Sequence, residues 1–129
     1  RNRTMAIAML DVDHFKKFND EHGHPAGDEL LKQLAQLLSH SLRRGEDLVA
    51  RYGGEEFLIV LPGADDEAAY EVAESMRRNV NASELDVTVS LGVATSEKVT
   101  FESIEQLIEA SDKAVYEAKN RGRNRVVAA

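Results

Sequence analysis

The chain has 129 residues, enough for one domain with a real hydrophobic core. It contains no cysteine, which excludes disulfides and thiolate metal sites, and its net charge of −7 argues against a nucleic-acid partner. No apolar stretch is long enough to cross a bilayer and no signal peptide is visible. A cytoplasmic domain without membrane contact is therefore expected, although a longer parent protein could still be membrane-anchored.

Met5 to Leu10 is a continuous apolar run ending at Asp11, the pattern of a central strand buried on both faces. Phe15 to Glu21 reads as a short helix closed by Gly23. After Pro25, Leu30, Leu34, Leu37 and Leu38 recur at helical spacing and predict a helix running to about Leu42. Leu48–Arg51 and Phe57–Leu61 are expected to pair across a tight turn at Gly53-Gly54, since glycine reaches positive φ at little steric cost. Asp66 is expected to cap a helix with the stripe Ala69, Val72, Ala73, Met76 and Val80. Val87, Val89 and Leu91 alternate with Thr88 and Ser90, a strand with one polar face. Ser103 and Gln106 resemble a capping box for a helix stopped by Gly122, and Val126-Val127 reads as an edge strand. The order predicts an α+β domain, with a mainly antiparallel βαββαβ sheet and helices packed on one face. In that topology Asp11 lies near the glycine turn.

Several residues carry possible chemistry. Glu55 and Glu56 follow the turn directly, where adjacent carboxylates repel and have poor strand propensity. Either they are a solvated hairpin tip or a cation needs at least one of them. Asp11-Val12-Asp13 gives two carboxylates that share a face in extended geometry, and Asp11 with Glu55 suits Mg²⁺ or Mn²⁺. The simpler reading of Asp13 is a cap for the helix that begins near His14. Asn19 and Asp28 can read a guanine edge by amide and carboxylate, or can serve ordinary turn and cap duty. His22 and His24 read as turn histidines. Lys16, Lys119 and Arg123 are candidate phosphate clamps; no P-loop is present.

Together these motifs make the chain resemble the GGDEF family of diguanylate cyclases along nearly its whole length. The resemblance rests on Asp11-Val12-Asp13-His14-Phe15-Lys16, Asn19-Asp20, Gly23-His24, Gly27-Asp28 and Arg51-Tyr52-Gly53-Gly54-Glu55-Glu56-Phe57. It continues through Ser90-Leu91-Gly92-Val93, Ala110-Ser111-Asp112, Tyr116, Ala118-Lys119 and Gly122-Arg123-Asn124. It implies a nucleotidyl-cyclase, palm-like fold that condenses two GTP into cyclic di-GMP and pyrophosphate. Asp11 and Glu55 would hold Mg²⁺ or Mn²⁺ with the Val12 carbonyl, and Glu55 would help deprotonate the ribose 3′-hydroxyl. Asn19 and Asp28 would recognise guanine. Substrate would also meet Gly53, Gly54, the amides of His14 and Phe15, and Lys16, Lys119 and Arg123. Arg44 and Asp47 resemble the family's product-inhibition pair, and the facing helix positions are expected to be Glu71 and Ser75.

The resemblance further implies a transient homodimer of half-sites and an upstream regulatory domain. Residues 1–129 would form the domain without the family's usual preceding helical segment, because Arg1-Asn2-Arg3 sits too close to the first strand to be part of one. No coiled-coil heptad is visible, so a mainly monomeric domain is expected at micromolar concentration. The alternatives are a non-catalytic module sensing GTP or cyclic di-GMP, and a palm-like transferase acting on another nucleotide.

Overall fold

A computed structural model describes residues 4–42 and 45–129. The elements run β1 (Met5–Val12), α1 (Phe15–His22), α2 (His24–His40), β2 (Leu48–Gly53), β3 (Glu56–Pro62), α3 (Asp66–Ala82), β4 (Val89–Thr95), α4 (Ile104–Asn120) and β5 (Val126–Ala128). This is the element order expected from the sequence. The sheet order is β2-β3-β1-β4-β5, antiparallel throughout except for the parallel β4–β5 pair. The apolar run of β1 is central because its backbone is paired on both sides and its side chains are covered on both faces.

Helices cover both faces of the sheet, not one as expected. Period-two alternation along β1 divides its side chains between two cores. Ala6, Ala8, Leu10 and Val12 join Leu31, Leu34 and Leu38 of α2 and Ala69, Ala73, Met76 and Val80 of α3. Ile7 instead joins Ala94 and Leu107, under α4. A strand buried on both sides needs a layer on each, and α4 supplies the second. Its approach depends on Gly92 of β4, where a Cβ would run into the Ser111 carbonyl and lie 2.7 Å from the Ala114 Cβ.

Local details depart from expectation at three places. The cap of α3 is Asp65, whose carboxylate accepts from the Ala68 amide at 2.8 Å, while Asp66 is already inside the helix. Ser103 stands at the N-cap of α4 without a side-chain cap bond; Gln106 instead accepts from the Glu102 amide at 2.6 Å. The strand β4 is buried along its whole length, so it has no solvated polar face. Ser90 is buried there and serves Asp13.

The hairpin forms with a register shift between Arg51 and Gly53. Of its two glycines only Gly54 is left-handed, at φ 43°, and Gly53 ends β2. Arg51 braces the turn by donating from Nε to the Gly54 carbonyl at 2.9 Å.

Candidate active site

The end of β1 meets the glycine hairpin and the last turn of α4. The Val12 amide donates to the Glu55 carbonyl at 3.3 Å, so the first strand and the turn touch as the topology required. The carboxylate directly opposite Asp11 in the register is that of Glu56, not Glu55. Glu55 is half-buried in the turn itself.

Asp11 is 6% exposed. Its Oδ2 accepts from Lys119 Nζ at 2.8 Å, and its buried Oδ1 has no hydrogen-bond partner. Burial pushes the Asp11 carboxyl above its usual range; the Lys119 ammonium opposes the shift without cancelling it, and the charges of Asp13 and Asp112 add to it. Glu56 is raised as well, first by burial and then by the charges of Asp11, Asp112 and Glu55. Five carboxylates thus crowd one lysine. Such crowding is unfavourable in the empty chain and is the condition a hard cation relieves.

Among the described residues no three side chains already converge into a closed metal cage. Mg²⁺ takes one or two carboxylates and completes its shell with water and phosphate oxygens. The unpartnered Asp11 Oδ1 and the all-oxygen donor set fit such an ion. The resemblance assigns the ion to Glu55, not to Glu56. Glu56 stands opposite Asp11 only through the register of the β1–β3 pair, which exists once those strands meet.

Asp13 does not cap α1. Its carboxylate accepts from Thr88 Oγ1, Ser90 Oγ and the Asn124 amide at 2.7, 2.7 and 3.1 Å. The N-cap of α1 is His14, left-handed at φ 57° and without a side-chain cap bond, so the first helical amides, including that of Phe15, begin at the end of β1. Lys16 is in solvent, its side chain 93% exposed and 3.5 Å from Asp20. His22 stacks on Phe18, with ring centroids 4.4 Å apart.

Asn19 lies against Gly27, and its Oδ1 is buried with no hydrogen-bond partner. A Cβ on Gly27 would overlap that oxygen and come within 3.2 Å of Phe15 Cζ. Asp28 is exposed near the start of α2. Arg123 and Asn124 follow Gly122 in a loop where all three have positive φ.

Arg44 lies outside the described residues. Asp47 lines a separate cleft of about 470 Å³ together with Glu71, Ser75 and Arg78. Glu71 and Ser75 therefore face Asp47 as expected. Arg78, one turn beyond Ser75, was missed, because its side chain reaches back to the cleft from a position outside the anticipated pair.

Among the described residues, a mixed five-stranded sheet with four helices, and an acidic strand end beside a glycine hairpin, defines a mixed α+β domain with an oxygen-rich site. The family model "Diguanylate cyclase, GGDEF domain" matches residues 1–125, and the chain belongs to this family. It is 41% identical to Diguanylate cyclase A of Treponema denticola, covering 98% of this chain and 35% of that protein. It is 44% identical to Diguanylate cyclase DgcM of Escherichia coli strain K12, covering 96% of this chain and 30% of that protein. The chain therefore spans about a third of the length of these relatives. The GGDEF domain of DgcB from Caulobacter crescentus, solved in complex with c-di-GMP, superimposes with a TM-score of 0.86 at 36% identity, covering 97% of this chain and 77% of that one. No helix among the described residues is long and apolar enough to cross a membrane.

Proposed function

We propose that this chain is the catalytic module of a longer signalling protein and that it condenses two GTP into cyclic di-GMP with release of pyrophosphate. The observation that carries the reading is the buried, partnerless Oδ1 of Asp11 within the carboxylate group formed with Glu55 and Glu56. Asp11 and Glu55 would hold Mg²⁺ or Mn²⁺, with the Val12 carbonyl as a further oxygen ligand and the Glu56 carboxylate beside them. When bound, the ion neutralises charge on the α-phosphate and lowers the pKa of the attacking 3′-hydroxyl.

The remaining work falls to the protein. Lys119 neutralises Asp11 in the empty chain; once that carboxylate is engaged elsewhere, its ammonium is available to a phosphate oxygen. The uncapped start of α1, at His14 and Phe15, offers amides to the phosphates. Lys16, exposed and 3.5 Å from Asp20, would swing onto them, and Arg123 would approach from the α4–β5 loop. Gly53 and Gly54 leave open space beside the substrate, since a Cβ at either would meet nothing within 4 Å. Glu55 would assist removal of the 3′-hydroxyl proton.

One domain holds one GTP, so a transient homodimer must bring each 3′-hydroxyl in line with the other α-phosphate. Incubation with GTP and Mg²⁺, followed by chromatography, should yield cyclic di-GMP. The rate per protein should rise with protein concentration. Absence of the product at any concentration would overturn the reading. The alternative of a non-catalytic sensing module is less favoured, because the signature carboxylates are intact.

Asn19 and Asp28 would recognise guanine, and Gly27 makes room for Asn19. In Gly27→Ala the obstructing atom is the end of a side chain, so the fold yields by rotating Asn19. The loss of one hydrogen bond to the base, about 1 kcal/mol or somewhat more, should raise KM for GTP roughly tenfold with kcat little changed. Steady-state kinetics decide this, and an unchanged KM would remove Asn19 from the guanine site.

The Asp47 cleft is proposed as the product-inhibition site, with Arg44 assigned to it from the sequence alone. Arg78, which lines the same cleft, would supply a second arginine to the product's phosphates. An upstream regulatory domain would control how often two modules meet.

A further inference from the structure

Asp13 is 3% exposed and none of the roles above uses it. Its carboxylate gathers donors from two separate segments, Thr88 and Ser90 at the start of β4 and the Asn124 amide in the α4–β5 loop. Its own amide donates to the Thr88 carbonyl at 2.9 Å. One side chain therefore ties the end of β1 to both segments. Each oxygen already accepts at least one hydrogen bond, so turning this carboxylate toward a cation would strand buried donors.

The loop it holds is strained. Gly122, Arg123 and Asn124 stand at φ 123°, 64° and 49°. For glycine this is ordinary, but left-handed backbone costs a residue such as arginine about 1–2 kcal/mol, so the fold must impose it. The Arg123 amide donates to the Ala118 carbonyl at 3.0 Å, which closes α4. Asn124 is then fastened twice: its amide donates to Asp13, and its Oδ1 accepts from Arg77 Nη1 at 3.0 Å. Arg77 is itself aligned by a two-pronged pairing with Glu74, at 3.0 and 2.7 Å. Beyond the loop, the Leu91 amide donates to the Arg125 carbonyl at 3.0 Å. Arg123 sits between these fixed points.

We propose that Asp13 is a positioning residue for the nucleotide's phosphates, acting through the Asn124 amide to hold Arg123 in its left-handed conformation, and is not a metal ligand. The proposal rests on the nucleotide-binding reading above and adds to it how the arginine is placed.

The test measures binding of a GTP analogue with a non-hydrolysable α–β linkage, with Mg²⁺, by calorimetry, alongside turnover of GTP. Asp13→Ala should weaken analogue binding by roughly tenfold. Asp13→Asn should stay within about threefold of the parent, because the amide keeps an acceptor for the Asn124 N–H and offers a donor to a hydroxyl oxygen. In an Arg123→Ala background, Asp13→Ala should cost nothing further, since residues acting through one another are not additive. An Asn variant as defective as the Ala variant would assign Asp13 a charge or metal role and overturn the proposal. Full additivity with Arg123→Ala would overturn it too. If circular dichroism shows Asp13→Ala unfolded, the same cycle is run with Asp13→Ser, which keeps a hydroxyl at the site but stops a bond short of the Asn124 amide. Weaker binding that vanishes in the Arg123→Ala background supports the proposal, and unchanged or additive binding overturns it. A parent that binds the analogue but makes no cyclic di-GMP defeats the cyclase reading alone, and the binding cycle still judges Asp13.

Discussion

Asp11→Asn is expected to lower cyclic di-GMP synthesis on the order of a hundredfold or more, as deletion of a metal-binding charge at a reacting phosphate does. The same substitution should leave the fold at least as stable as the parent at neutral pH. Asp11 has a folded-state pKa above its unfolded value, chiefly because it is buried. The folded chain then holds the proton more tightly than the unfolded chain. Stability is highest below the ordinary carboxylate range, falls as pH rises through the window up to the raised value, and stays reduced above it. The asparagine has no charge to bury. Its advantage should be present at neutral pH and shrink as the pH is lowered toward about 4. Thermal melts at the two pH values and a GTP assay check both halves. A variant less stable than the parent at neutral pH would mean that the 2.8 Å ion pair with Lys119 outweighs the burial cost. A variant at least as stable as the parent would instead mean that the parent holds a site that is unfavourable until its ligands arrive, a common trade of stability for function.

Gly92→Ala should be the most damaging single methyl group in the chain. The atoms in its way are the Ser111 carbonyl and the Val115 amide, backbone groups of α4 that cannot rotate aside. The helix must lift or bend over β4, and the core formed by Ile7, Ala94 and Leu107 opens with it. Overpacking of this kind costs about 1–3 kcal/mol where side chains can yield, and a backbone obstacle belongs at or above the upper end. Against a total stability of roughly 5–15 kcal/mol the loss is large. Urea unfolding should show a clearly lower midpoint with an unchanged slope. Activity should fall further than stability alone requires, because α4 also carries Lys119 to Asp11. A midpoint equal to the parent's would show that α4 is free to slide on the sheet.

The contrast between Gly92 and Gly54 shows what a sequence can disclose. Gly54 stands between two strand-like runs, so its turn was legible from neighbouring residues, and it does take positive φ. Gly92 lies in a strand, and nothing beside it in the chain announces that a helix some twenty residues away will rest on it. The element order, the apolar stripes of α2 and α3 and the nearness of Asp11 to the glycine hairpin were all readable for the first reason. Each depends on local periodicity or on chain order, which the sequence states directly.

What the sequence alone determined, then, was the family resemblance, the nine elements and the acidic end of β1 as the place to look. The tertiary structure decided the rest. It put α4 on the opposite face from α2 and α3, because a doubly buried strand needs both faces covered. It set Glu56 opposite Asp11, because strand register is a property of a pair of strands. It turned Ser90 and Thr88 of the expected polar face into partners of Asp13, and Asp13 from a helix cap into a tie between distant segments. Hydrogen-bond partners far apart in the chain carry no periodic signal, since they meet only when the sheet has closed.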